Sequence, residues 1–171
     1  MTCSTGLRWP LGARVSRRGG LQQPGYPHGP DTPSAEDYAA ERARFAALEL
    51  VDLHALERAV TEPYKNQVLV NSNGECMRLA VFEGNYRWHH HPRSDELFLV
   101  VSGELHIEFA DRPDAILGPL QCMVVPAGTL HRTRAVGRTV NITFEQQCAE
   151  TVFVEPPPGR WSRTSPFRST D

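Results

Sequence analysis

The chain has 171 residues, 40% of them hydrophobic, and a formal net charge of −2. That length supports one domain with a sizeable core. The near-neutral charge offers no electrostatic footprint for nucleic acid or a membrane surface, and no apolar run approaches the ~18 residues of a membrane span. The basic residues are almost all Arg, with Lys65 the single Lys, and the four cysteines (Cys3, Cys76, Cys122, Cys148) form no Cys-x-x-Cys. With no secretory signal evident, a reduced cytoplasmic protein is the simplest expectation. Cys122 and Cys148 are expected to act as small hydrophobes in or beside strands, with a reactive pocket thiol as the alternative.

Residues 1–33 hold four Arg, no acid before Asp31, and Gly and Pro throughout. They are expected to form a disordered tail; a transit peptide is the alternative, opposed by Pro10. Residues 34–62 are expected to be a helical segment. Ser34 and Asp37 have capping-box spacing and open a helix near 35–49. Asp52 caps a second helix running to about Val60, and Pro63 ends it.

From 63 to 154 the pattern changes to short strands. Residues 67–71 and 75–83 flank Asn71-Ser-Asn73-Gly74, a hairpin turn signal. Strands follow at 97–101, 105–110, 122–125, 131–135 and 139–144, with a last one near 151–154. No helices are interleaved, which predicts an all-β sandwich or barrel. Residues 155–171, with Pro156-Pro-Pro158 and many Ser, Thr and Arg, read as a second disordered tail.

The densest chemistry lies at Trp88-His89-His90-His91-Pro92 followed by Glu96, and downstream at Pro126-Ala-Gly128-Thr-Leu-His131. Side chains two apart on a strand share a face, so His89 and His91 converge while His90 points away. A short turn then delivers Glu96. Three imidazoles and one carboxylate suit a single divalent ion; iron, manganese, zinc, nickel and copper are not distinguishable from these donors. Such a set leaves about two positions free on a six-coordinate metal. His54, His106 and His28 lie outside this pattern, and His106 is expected to be a satisfied sheet residue.

These residues resemble the cupin family. Its first motif runs Gly84, His89, His91, Glu96, Gly103, and its second contains Pro126, Gly128 and His131. Two positions depart: Leu120 stands where the motif has Gly, with Gly118 two residues earlier, and Ala135 stands where it has Asn. The first change is expected to shift a turn by two residues. The resemblance covers roughly residues 50–154 and implies a jelly-roll (double-stranded β-helix) barrel, metal ligation by His89, His91, Glu96 and His131, and a homodimer.

Strand parity places Phe98 and Val100 on the face of Glu96, and Thr133 on the face of His131, as substrate-pocket candidates. Arg78 is the one charge in an apolar stretch. It either sits on the outer face with a carboxylate partner or points inward to hold an anionic substrate. No second carboxylate is evident near the pocket, which favours chemistry carried by the metal, and no catalytic acid or base is assigned. The resemblance implies a metal-dependent enzyme of dioxygenase, isomerase or cyclase type acting on a small organic molecule. The alternatives are a non-catalytic small-molecule binding module and a protein whose metal only ties strands together.

Overall fold

A computed structural model of the protein describes residues 33–155. The expected tails at 1–33 and 155–171 therefore lie, apart from their innermost residues, outside the described residues. Among the described residues, no helix is long and apolar enough to cross a membrane.

Helix α1 (Ala35–Ala40) opens on the expected capping box: Asp37 N–H donates to Ser34 Oγ at 3.1 Å and Ser34 N–H donates to the Asp37 carboxylate at 2.9 Å. It ends nine residues before the expected boundary. Glu41 adopts an extended backbone, and the chain then runs along strand β1 (Tyr64–Ser72), an edge of the sheet, where Arg44 N–H donates to Val68 O at 3.1 Å and Phe45 N–H to Leu69 O at 2.9 Å. Covering an open strand edge satisfies backbone groups that a longer helix would leave bare. Helix α2 (Leu53–Arg58) has the expected Asp52 cap, which accepts from Ala55 N–H at 3.0 Å.

Strands β1 and β2 (Glu75–Asn85) form a hairpin with Asn73 and Gly74 both at positive φ, 53° and 85°, as a two-residue primed turn requires. β2 pairs with β7 (His131–Gln146), and β7 pairs on its other side with β4 (Glu96–Phe109). β5 (Ala115–Leu117), which the sequence pattern did not reveal, and β6 (Cys122–Val125) both pair with β4. The short β3 (His89–His90) bridges β7 and β8 (Val152–Phe153). All pairings are antiparallel, and the sheet curls into the all-β half-barrel of a double-stranded β-helix.

β4 and β7 each join two expected short strands into one. The register slips at Ser102 and Glu104 without breaking the ladder. Gly103 sits in this bulge at φ 85°, where a Cβ would come within 2.8 Å of Thr139 Cα and of the Arg138 carbonyl oxygen. Only glycine fits there. The turn expected to shift by two residues does not shift: Leu120 itself takes the left-handed conformation, φ 63°, with its side chain 83% exposed. Its N–H donates to Val100 O at 2.7 Å, so the turn is held by backbone hydrogen bonding.

Two apolar clusters form, one on each face of the sheet. The interior holds Phe82, Phe98, Val100, Leu105, Ile107 and Val125 among others, several of them fully buried. Leu69, Leu79, Val81, Val140 and Ile142 face outward and are covered by Phe45, Val51, Leu53, Leu56 and Val60. The N-terminal segment is thus part of the packed unit.

Candidate metal centre

His89 on β3 lies directly opposite His131 at the start of β7. His91 follows β3, and Glu96 opens β4. The intervening turn is tied to the 126–128 turn by Gly128 N–H donating to His91 O and by Ala127 N–H donating to the Asp95 carboxylate, both at 2.8 Å. The two motif segments are therefore locked together, and all four expected ligand side chains converge. Glu96 Oε2 stands 3.2 Å from His91 Nε2, 3.3 Å from His131 Nε2 and 3.9 Å from His89 Nε2. One donor atom from each of His89, His91 and Glu96 lies within 4.8 Å of the others, and all three residues are buried, so this cluster can bind a metal ion.

The other ring nitrogens decide what the cluster can hold. His89 Nδ1 contacts Arg87 O at 2.9 Å, His131 Nδ1 contacts Thr129 O at 2.9 Å, and His91 Nδ1 contacts Glu150 O at 3.1 Å. A carbonyl oxygen only accepts, so each Nδ1 must carry the proton. Each neutral ring then presents an Nε2 lone pair to a carboxylate, which is also acceptor-only. Acceptors face acceptors unless protons or a cation sit between them. Electrostatics follow the same geometry. Burial, with the nearby His131, lowers His89 to about 4. Burial alone would lower His91 too, but the Glu96 and Glu145 carboxylates outweigh it and raise it to about 9. Glu96 is buried, yet the three imidazoles around it, with the charge of His91, hold it well below the usual carboxylate range.

Beside the cluster lies a cavity of about 1170 Å³ lined in part by His89, His91, Glu96, Arg78, Glu145 and Tyr86. Arg78 is buried and faces inward, but with carboxylate partners: its Nε is 2.7 Å from Glu145 Oε1 and its Nη1 2.8 Å from Glu41 Oε2. Phe98, Val100 and Thr133 have the expected parity and are buried, but they belong to the packed interior and do not line the cavity. Phe98 instead supports the centre from beneath, its ring 5.9 Å from that of His131. The wall is consequently more polar than expected, because the apolar side chains of that face are consumed by the core.

The expectation of no second carboxylate is overturned by Glu145. Its Oε2 lies 3.8 Å from His91 Nε2. Burial and the charge of Glu96 push it up to about 7, against the pull of Arg78 and His91. The signal was present: Glu145 shares the inward parity of His131, Thr133 and Asn141, but the expected strand ends at 144, whereas β7 runs on to Gln146. Tyr38 and Tyr64 were also missed: their hydroxyls are 2.6 Å apart, and Tyr64 stacks at 5.7 Å on Tyr86, whose ring meets the edge of His89 at 5.3 Å.

Outside the centre, His106 is a satisfied sheet residue, its Nε2 2.7 Å from Glu104 Oε1. The expectation for the cysteines is reversed: Cys122 and Cys148 are exposed, whereas Cys76 is buried, its thiol pushed up to about 11 by burial and by the charge of Glu145.

Comparison with known proteins agrees with this geometry. A family model described as a cupin domain matches residues 77–144. The uncharacterized protein YdbB of Bacillus subtilis (strain 168) is 46% identical over 110 residues, covering 64% of this chain and 97% of that protein. Among solved structures, a cupin-2 domain containing protein of Shewanella frigidimarina matches with a TM-score of 0.53 at 25% identity, over 57% of this chain and 94% of its own. Protein NMB1881 of Neisseria meningitidis matches with a TM-score of 0.53 at 26% identity, over 57% and 99%. With both motifs in place on this β-helix, the chain belongs to the cupin family.

Proposed function

We propose that this protein holds one divalent metal ion on His89, His91, Glu96 and His131 and acts as an enzyme on a small organic molecule bound in the adjoining cavity. The observation that carries the reading is the set of three backbone-fixed Nδ1 protons, which aims all three Nε2 atoms at one carboxylate, where each neutral ring presents a lone pair. A cation resolves that contact without protonating the rings. The ion would act as a Lewis acid or a redox centre with positions open to ligand. Iron, manganese, zinc, nickel and copper all suit the donors. Glu145 supports catalysis over simple storage, because a buried carboxylate beside the ligands offers a place for a proton. A homodimer belongs to the same reading. It is supported by an outward apolar row that crosses five strands in register, Val124, Leu97, Phe144, Met77 and Val70, with Val124 and Phe144 partly exposed.

Elemental analysis of protein purified without a metal-affinity tag tests the centre. Close to one metal per chain is expected, and its loss in His91→Ala. Full occupancy in that variant refutes the ligand assignment.

A further inference from the structure

Arg78 is the only guanidinium among the inward-facing positions of β2, and its four polar contacts divide into two kinds. On the inner side, Nε is held by Glu145, whose side chain is 9% exposed. On the outer side, Nη1 is held by Glu41 at 2.8 Å and by Asn66 Oδ1 at 3.4 Å, and Nη2 donates to Tyr38 O at 3.3 Å. Glu41 is not a barrel residue. It follows the last residue of α1, and its side chain is 28% exposed. Its second oxygen, Oε1, accepts the Val68 backbone N–H at 2.9 Å. One carboxylate thus bridges a buried guanidinium and a backbone N–H at the cavity wall. That is how a carboxylic acid ligand is commonly held.

We infer that Glu41 occupies the place of a substrate carboxylate, and that the cavity takes a small monocarboxylic acid whose carboxylate displaces Glu41 from Arg78 and Val68. The inference rests on the metal reading above for its charge balance. Arg78 and Glu145 offset one another, and Glu96 offsets half the charge of a divalent ion. With Glu41 in place the whole is neutral; with Glu41 withdrawn it carries one positive charge, which a monoanion restores to neutrality. Glu145 joins Arg78 to His91, with one oxygen 2.7 Å from the guanidinium and the other 3.8 Å from the imidazole. Glu41, Arg78, His91 and Glu96 line one cavity, so an acid held at Arg78 shares that space with the metal centre. Displacement is local. A six-residue helix has little stability of its own, and α1 is held to the barrel chiefly by the Glu41 contacts, by Tyr38 O on Arg78 and by the Tyr38–Tyr64 hydroxyl pair.

The test uses the full chain loaded with manganese, with benzoate as probe and benzamide as its uncharged match. Calorimetry on wild type and on Glu41→Gln should show benzoate binding about tenfold tighter in the variant, the factor that one hydrogen bond to a charged group commonly carries. Benzamide should not distinguish the two. Glu41→Ala should repeat the gain. In wild type, benzoate should raise hydrogen exchange in residues 34–41, since it frees α1, while Arg44 and Phe45 stay paired with β1. Benzoate binding that ignores position 41 and leaves 34–41 unchanged overturns the inference. Metal content of the same samples separates the two readings. Metal present with no effect at position 41 removes the carboxylate site and leaves the metal centre. Metal absent with the position-41 effect intact does the reverse.

Discussion

Metal binding should be coupled to release of a proton from His91, and the coupling has a defined pH window. In the metal-free protein, burial lowers His91 but Glu96 and Glu145 raise it to about 9. Its Nδ1 proton is fixed on Glu150 O, so the proton that leaves is the one on Nε2, the atom aimed at the metal position. At about pH 7.5 nearly all His91 is imidazolium, and a ligating ring must be neutral. Binding there should expel about one proton from His91, at a cost of roughly 2 kcal/mol relative to a ring already neutral. Affinity should therefore rise nearly tenfold per pH unit from about 7.5 to 9 and level off above. The same shift acts on the metal-free fold. A folded-state pKa raised above 6.5 contributes stability that is complete below that value and is lost as pH rises through about 9. Metal-free protein should thus melt at lower temperature at about pH 9 than at about pH 7.5. Calorimetry in two buffers of different ionisation enthalpy counts the protons, and competition with a chelator of known affinity gives the slope. Affinity that is flat across the window, with no proton released, would refute the assignment of His91 Nε2 as a donor.

The remaining expectations concern stability. Chelation of metal from the wild type should lower the melting temperature by roughly 10 °C, as expected for a ligand present at about a thousand times its Kd, with recovery on adding the ion back; His91→Ala should show no such response, and an equal response in that variant would remove the ligand assignment. Leu120→Gly should stabilise by about 0.5–1 kcal/mol, because it relieves a left-handed backbone of φ 63° and gives up a side chain that is 83% exposed; a lower melting temperature would show that Leu120 is packed in solution. Gly103→Ala should destabilise by about 2–5 kcal/mol, since the new methyl meets backbone at 2.8 Å; unchanged denaturant unfolding would mean that the bulge can move.

The contrast between Gly103 and Leu120 shows what was legible in the sequence. At Gly103 a tight backbone approach demands one residue, so the motif position predicts the structure. At Leu120 the same backbone conformation is met without glycine because the residue points into solvent, and the letter alone suggested a shifted turn. The convergence of these side chains was legible because its spacing is short: the His89–His91 alternation, one turn to Glu96 and one paired strand to His131 are local rules of strand and hairpin. Glu145 was not, since strand parity had to be carried fourteen residues past His131 through a register irregularity. The helix boundary was missed for another reason. Capping chemistry marks where α1 starts, whereas its end is set by an edge strand distant in sequence that accepts Arg44 and Phe45 as partners.

That last contact also explains how labour is divided along the chain. The cupin-domain match begins at residue 77, and the segment before β1 lies outside it. Yet the segment covers the outer apolar face with Phe45, Leu53 and Leu56 and places Tyr38 and Glu41 at the cavity. The cluster of His89, His91, Glu96 and His131 needs neither contribution to assemble, because all four side chains come from β3, β4, β7 and the turns between them. What the segment changes is the space next to the ligands: its charge, its polarity and the partner of Arg78. The motifs therefore account for the His/Glu cluster, and residues 34–45 help set the charge and polarity of the cavity beside it. A chain with the same motifs and a different leading segment should keep the cluster and present a differently charged cavity.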